Sequence, residues 1–302
     1  MKGTHVAVPD SRNEDVLIYI NGEFVHRSEA KISVFDSAFL VGDGIWEGLR
    51  LHHGQFSFLD RHLDRLLASA DEFGFDIGLS RDDLTSILRA TVDANGMHDG
   101  AHVRLMISRG TKKTPSQDPR LLVSGPTIVC IAEHKLADPE VTDEGISLFT
   151  SSVRRPPPDT LDQRFNSHSK LHEVVALLQA IEARADEALM LDTNGNVATC
   201  NATNFFIIKD SELWTSTGEH CLKGITRGLV VELGRAAGIV VREEDFGVDL
   251  VHDADEAFVT GTFGALTPVA SIDGHRIGDG RRGPVTAKLA ALYREAIESW
   301  VP

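Results

Sequence analysis

Lys170 ends the stretch Arg164-Phe165-Asn166-Ser167-His168-Ser169-Lys170, between the breaker Arg155-Pro156-Pro157-Pro158-Asp159 and an apolar helical run, Val174 to Ala183. A cation at a helix N-terminus opposes the positive end of the helix dipole. The amine therefore gains by being neutral or covalently used, as in a Schiff base with an aldehyde cofactor. A lone lysine reads more simply as a solvated surface residue, and what shifts the balance lies downstream. Gly224-Ile225-Thr226-Arg227 opens a helix. Unpaired N–H groups and the dipole there favour an anion, with the Thr226 hydroxyl as a further donor. The ordinary alternative is a glycine-led helix start with Thr226 as N-cap. Thr260-Gly261-Thr262-Phe263-Gly264 is a small-residue loop at a strand end, suited either to backbone contact with an anion or to a plain turn.

A phosphate cup and a reactive lysine together are what pyridoxal 5′-phosphate requires. Other chemistries lack their patterns. Neither loop reads G-x-x-x-x-G-K-[ST], and Gly42-Asp43-Gly44 lacks the spacing of a dinucleotide-binding turn. No C-x-x-C pair suggests zinc, and no metal is expected. No G-x-S-x-G elbow suggests a hydrolase.

The elements that would position these residues are legible from periodicity. Ile18 to Ile20 and Glu23 to Val25 flank Asn21-Gly22, a strong hairpin signal. Ile32 to Phe35 reads as a short strand. Glycines flank the apolar alternation in Gly42-Asp43-Gly44-Ile45-Trp46-Glu47-Gly48-Leu49-Arg50, which predicts a strand approached closely by other backbone or a ligand. Leu63, Leu66, Leu67 and Ala70 mark an amphipathic helix over 59–73. On spacing alone Arg65 falls on its solvated face. Ser80 caps a helix over 82–95 that Gly96 ends. Strands follow at 103–108, 127–132, 146–152, 187–191, 203–208, 212–215, 240–242 and 256–260. A helix spans 227–237, and Pro284 starts a terminal helix. Residues 1–15 read as a flexible arm, 16–133 as a small α/β domain, and the polar, proline-containing stretch 134–144 as a linker. Residues 145–302 read as a larger domain carrying Lys170.

Composition narrows the partners. The 302 residues carry 30 Lys and Arg against 45 Asp and Glu, a net charge of −15, which argues against nucleic-acid and anionic-membrane partners. Cys130, Cys200 and Cys221 have no disulfide or metal spacing, so a reducing cytoplasm is the simplest compartment. No run of about 18 apolar residues suggests a membrane span.

Over nearly its whole length the chain resembles the fold-type IV pyridoxal-phosphate enzymes: branched-chain aminotransferases, D-amino-acid transaminases, (R)-amine transaminases and aminodeoxychorismate lyases. The resemblance is carried by Gly44-Ile45-Trp46-Glu47-Gly48-Leu49-Arg50, His62-Leu63-Asp64-Arg65-Leu66, Leu222-Lys223-Gly224-Ile225-Thr226-Arg227 and Asp255-Glu256-Ala257-Phe258-Val259-Thr260-Gly261-Thr262. It implies a small α/β domain and a larger pseudo-barrel domain, with an active site completed across a homodimer. It implies that Lys170 is the Schiff-base and proton-shuttling lysine. Arg65 would bind the cofactor phosphate, contrary to the spacing argument, and Gly224, Ile225, Thr226 and Thr262 would complete the cup. Leu222 would pack on the ring.

One position departs from the family. In Val197-Ala198-Thr199-Cys200-Asn201, Thr199 stands where the resemblance calls for a glutamate at the pyridine nitrogen, and threonine offers only a neutral hydrogen bond. The implied activity is transfer of an amino group between an amino donor and a 2-oxo acid. A branched-chain L-amino acid with 2-oxoglutarate leads; a D-amino acid or (R)-amine with pyruvate, and a lyase, are the alternatives. Arg104 matches either a carboxylate-binding arginine or a structural ion pair. The Arg-x-His trap of the D-amino-acid enzymes is absent after Arg109-Gly110-Thr111, where Lys112 and Lys113 are the candidate substitutes. Trp46, Phe263 and Gly264 complete the expected substrate surface.

Overall fold

A computed structural model describes residues 3–300, and they divide into two compact units. The smaller comprises residues 8–136 and 165–170; the larger comprises 3–7, 137–164 and 171–300.

The smaller unit is built on β1 (Leu17–Ile20), β2 (Glu23–His26), α1 (Ser37–Val41), β3 (Gly44–His52), β4 (Gln55–Phe56), α2 (Leu59–Glu72), α3 (Arg81–Ala94), β5 (Ala101–Ser108) and β6 (Thr127–His134). Among the described residues its strands form a six-stranded antiparallel sheet in the order β2-β1-β6-β5-β3-β4. Register pairs Ile45 with Ile107 and Leu49 with Val103, so one face of β3 and β5 is aliphatic. That face is fully buried, as are Leu63 and Leu66 of α2 and Leu84 and Leu88 of α3. Ser80 caps α3 in a reciprocal capping box with Asp83, satisfying donors that the helix start leaves open.

The larger unit contains α4 (Pro139–Glu144), β7 (Ile146–Thr150), α5 (Leu171–Glu182), β8 (Glu187–Leu191), β9 (Val197–Cys200), β10 (Asn204–Lys209), β11 (Glu212–Thr215), α6 (Ile225–Ala236), β12 (Val241–Glu243), α7 (Val248–His252), β13 (Glu256–Gly261), β14 (Ala265–Ile272), β15 (His275–Arg276) and α8 (Pro284–Glu298). Its mixed sheet runs β12-β11-β10-β13-β14-β7-β8-β9, with β15 paired to β14. The core around it includes Leu148, Leu189, Phe205, Ile207, Val259 and Val269. Among the described residues no helix is long and apolar enough to cross a membrane.

Four expectations from sequence need correction. Residues 3–15 are not a loose arm. Thr4 is buried and both its N–H and its hydroxyl donate to Glu187; Ala7 bridges to Ala137; and Ser11–Asp15 form a 3-10 turn capped by Asp10. Residues 1–2 of that stretch lie outside the described residues. Residues 32–35 are a turn rather than a strand, because the Ser33 hydroxyl accepts from Phe35 N–H and the Ser33 carbonyl from Asp36 N–H. The stretch 134–144 holds the end of β6 and all of α4, which Asp138 caps and Pro139 starts. Finally, residues 165–170, expected with the larger unit, group with the smaller one. The upper edge of β3 takes them up: Ile45 bridges to Ser167, Trp46 N–H donates to Asn166 O (3.1 Å), and His168 N–H donates to Gly44 O (2.8 Å).

Candidate active site

Lys170 immediately precedes α5, at the helix mouth the sequence indicated, and its segment is fixed from both sides. Besides the backbone pairing to β3, the Trp46 indole N–H donates to Ser167 O at 3.1 Å, and the Ser169 hydroxyl donates to Gly42 O at 3.2 Å. Gly44 is required by this crowding. A Cβ there would lie 2.8 Å from Ile107 O and 3.5 Å from the His168 ring. Trp46 also carries the Arg104 guanidinium, stacked 3.9 Å from its ring centroid, an arrangement stabilised by the ring's negative face. Burial pushes Arg104 below its ordinary pKa, with Glu133 opposing. Lys112 takes no part in any carboxylate trap: it is buried and its amine donates to Ser116 O at 2.8 Å.

Arg65 is not solvated. Its Nε and Nη2 donate to the two oxygens of Glu47 at 2.8 and 2.7 Å, a bidentate fork, and His62 Nδ1 lies 2.7 Å from the same carboxylate. Glu47 is 0% exposed and sits on the aliphatic face of β3, in phase with Ile45 and Leu49. Burial works to raise its pKa; the Arg65 charge and the hydrogen bonds from His62 and Arg65 outweigh it, and the net shift is downward. The sequence held a signal for this cluster in a carboxylate at a buried phase of β3. Another lay in the i, i+3, i+7 row His62, Arg65, Ser69, which forms a polar second stripe beside the leucines of α2.

The larger unit holds the other candidates. Asn204, at the start of β10, ties three of them together. Its Nδ2 donates to Leu222 O at 2.9 Å and lies 3.4 Å from Thr199 Oγ1. Gly224 approaches so closely that a Cβ would lie 2.2 Å from Asn204 Oδ1. Thr199 is buried, and its hydroxyl donates to Thr203 O at 2.8 Å, which leaves it lone pairs to offer a ligand. Asn204, missed by sequence reasoning, is the organiser here; its only signal was an amide at the head of the apolar run Phe205-Phe206-Ile207-Ile208.

Helix α6 begins at Ile225, two residues before the expected start, and its N-cap is Gly224 rather than Thr226. Thr226 is buried in the first turn with its hydroxyl 3.3 Å from Tyr293 OH. No side chain caps α6, so the first-turn amides of Ile225 and Thr226 keep the donor character that the anion site calls for. Thr262 and Phe263 lie in the turn between β13 and β14, with Phe263 buried. Gly264 passes Thr4, where a Cβ would meet backbone and side chain at 3.3 Å.

These residues fit a phosphorylated ring cofactor on the grounds of their own chemistry: an uncapped helix start behind a glycine with no room for a side chain, a buried hydroxyl at Thr199, and a lysine on a fixed segment. The family model for amino-transferase class IV matches residues 44–272. Branched-chain-amino-acid aminotransferase-like protein 2 of Arabidopsis thaliana is 38% identical over 299 residues, which is 98% of this chain and 53% of that protein, so the chain spans about half the length of that relative. A putative branched-chain-amino-acid aminotransferase of Methanocaldococcus jannaschii is 38% identical over 284 residues, covering 94% of this chain and 97% of its own. A T.th. branched-chain amino acid aminotransferase, solved with pyridoxamine 5′-phosphate, superposes with a TM-score of 0.88 at 30% identity over 95% of this chain and 96% of its own. With the family model over most of its length and relatives of 38% identity, this chain belongs to the class IV aminotransferases.

Proposed function

We propose that the chain binds pyridoxal 5′-phosphate and transfers an amino group from a branched-chain L-amino acid to 2-oxoglutarate. The observation that carries the substrate class is the near end-to-end match to branched-chain aminotransferases. When bound, the cofactor supplies an aldehyde that takes up the donor's amine and a ring that accepts electron density from Cα. The chain's own residues do the rest. Lys170 would hold the cofactor through Nζ, and as a free amine it would carry the proton at the donor Cα. On the smaller unit the Arg65 guanidinium, oriented by Glu47, is the candidate phosphate partner; on the larger unit the candidates are the amides of Ile225 and Thr226 and the Thr262 hydroxyl. Leu222, fixed through its carbonyl by Asn204, would pack on the ring. Thr199 would face the ring nitrogen as a neutral partner. Arg104, held over the Trp46 ring, is the candidate cation for an acceptor carboxylate on the smaller unit, and Phe263 and Gly264 are the candidate substrate contacts on the larger unit.

We further infer a cytoplasmic homodimer. Three buried free thiols suit a reducing compartment, and the outward apolar face of α5 suits a second copy of the chain. The test is incubation of the purified protein and cofactor with L-leucine and 2-oxoglutarate, following glutamate and 4-methyl-2-oxopentanoate. Acceptor-dependent formation of both is expected. Turnover of D-alanine or an (R)-amine with pyruvate and none of L-leucine would overturn the substrate assignment. Release of pyruvate from an amino donor without an acceptor would mark a lyase.

A further inference from the structure

Residues 3–7 of the larger unit reach a buried carboxylate, that of Glu187 at the start of β8. Thr4 N–H donates to Glu187 Oε1 at 3.0 Å, and the Thr4 hydroxyl donates to the same oxygen. The other oxygen, Oε2, accepts from the Thr203 hydroxyl at 2.8 Å. Thr4, Glu187 and Thr203 are all buried, and the three donors are neutral. A buried polar network of this kind is rigid only while every partner is in place.

The network continues past Thr203. The Thr203 carbonyl accepts from the Thr199 hydroxyl at 2.8 Å and from Cys200 N–H at 2.9 Å, which closes the turn between β9 and β10. Asn201 fastens that turn to the residue after Glu187. Its N–H donates to Ala188 O at 3.0 Å, and Ala188 N–H donates to Asn201 Oδ1 at 2.8 Å. His5 Nε2 lies 3.3 Å from Ala202 O, so residues 3–7 touch the turn directly as well. A second turn leans on the same groups. A Cβ on Gly264 would lie 3.3 Å from both Thr4 Cβ and Thr4 O, and one on Gly261 would lie 3.6 Å from Thr203 Cγ2. Thr262 and Phe263 stand between those two glycines. One carboxylate therefore fixes Thr4 and Thr203, which back the segment carrying Thr262, while Thr203 O orients Thr199.

We propose that Glu187 is a positioning residue for the cofactor end of the site, and that residues 3–7 are the strap through which it holds the 199–203 and 261–264 segments at one spacing. The proposal rests on the reading of Thr199 and Thr262 as cofactor contacts; the packing of the strap does not. Losing the strap leaves Glu187 with an unmet acceptor. Both segments then gain freedom that a ligand must remove on binding.

Cys200 is a local reporter of that freedom. It is buried, and burial foremost, with the Glu187 charge adding, pushes its thiol well above the ordinary range. A thiol so placed reacts when the turn opens. The test uses the full-length chain carrying Thr4→Val, which removes the hydroxyl and keeps the shape, or Thr4→Ser, which keeps the hydroxyl. Labelling of Cys200 by N-ethylmaleimide under native conditions is followed by peptide mass spectrometry, with buried Cys130 of β6 as the control for global opening. Thr4→Val should label Cys200 about tenfold faster, the size of one lost bond to a buried acceptor, with the Cys130 rate unchanged. Thr4→Ser should label at the wild-type rate. Thr203→Val cuts the same carboxylate's other bond and should behave as Thr4→Val does, so misfolding of one variant does not decide the matter. Equal Cys200 rates in the wild type and both valine variants overturn the strap. Equilibrium dialysis of pyridoxal 5′-phosphate separates positioning from stability alone. The Kd should rise about tenfold in Thr4→Val and return in Thr4→Ser. Faster labelling with an unchanged Kd overturns the positioning role. A wild type that binds no pyridoxal phosphate overturns that role together with the reading of the site, and the labelling rates then show whether the strap alone survives.

Discussion

A carboxylate at 0% exposure among aliphatic side chains is tolerable only because Arg65 and His62 both reach it. The pair orients the guanidinium, and its pH behaviour has a definite sign. The Glu47 pKa is lower in the folded chain than in the unfolded one, so its contribution to stability is complete above the ordinary glutamate range near ~4.3. That contribution is lost as pH falls through the folded value. Glu47→Gln should therefore flatten the acid limb of a stability-versus-pH curve from urea unfolding. It should also lower stability near neutral pH by about 3–5 kcal/mol, because it strands the arginine; an unchanged acid limb would show that Glu47 is not a principal acid-sensitive group. Arg65→Ala should weaken retention of pyridoxal phosphate by more than about tenfold, since a charge-assisted bond contributes roughly 1.5–3 kcal/mol. Equilibrium dialysis measures this, and an equal dissociation constant would remove Arg65 from the cup. Lys170→Ala should abolish turnover while leaving much of the phosphate affinity, because the cup lies on other residues; full turnover without added amine would refute its role. Family resemblance indicates Lys170 and Arg65 from type and order alone. Glu47, between Trp46 and Gly48, and Asn204, at the head of an apolar strand, each leave only a faint signal in sequence, because only their partners' positions in space give them meaning.

At the level of elements, periodicity and capping residues locate the long helices to within a few residues, and α3 with its Ser80–Asp83 box is the clearest case. Strand order is not legible, since pairing β7 with β14 in parallel, far apart in the chain, leaves no local trace. The misses share one cause. The turn at 32–35 and helix α4 are set by single side-chain-to-backbone bonds, from Ser33 and Asp138, that override composition. Helix α6 shows how such local chemistry reaches the site. Gly224 has an unexceptional φ of −59°, so its requirement for glycine is steric rather than torsional. A methyl group there collides with Asn204 Oδ1, and Asn204 cannot yield without releasing Leu222 and Thr199. Gly224→Ala should cost about 1–3 kcal/mol of stability by overpacking and weaken cofactor binding as well. Calorimetry and a cofactor titration read the two effects. Wild-type affinity in the variant would mean that the α6 start does not face the phosphate.

For the whole molecule the governing facts are a net charge of −15 and one helix whose polarity is inverted. Helix α5 turns its alanines inward: Ala176 and Ala180 pack on Ala188 and Met190 of β8, with Phe149 beside them. Its larger apolar residues face out. Leu171 is 75% exposed, Leu178 58% and Val174 50%, with Val175 and Ile181 alongside. Their spacing of three and four residues places them on one continuous stripe. A stripe of that size on a chain so acidic points to a partner that brings no further negative charge to the contact. The same stripe of a second copy, related by a two-fold axis, meets that condition. Leu178→Asp would place a carboxylate in such a contact twice. Like charges held together in a desolvated interface cost several kcal/mol, so the dimer dissociation constant should rise by at least ~100-fold. Sedimentation velocity across a micromolar concentration series should show a dimer for the wild type and a monomer for the variant. Because Leu171 directly follows Lys170, loss of the contact should also lower turnover more than it lowers stability. A wild type that sediments as a monomer at every concentration, or a variant that stays dimeric, would show that α5 is not the seam between copies.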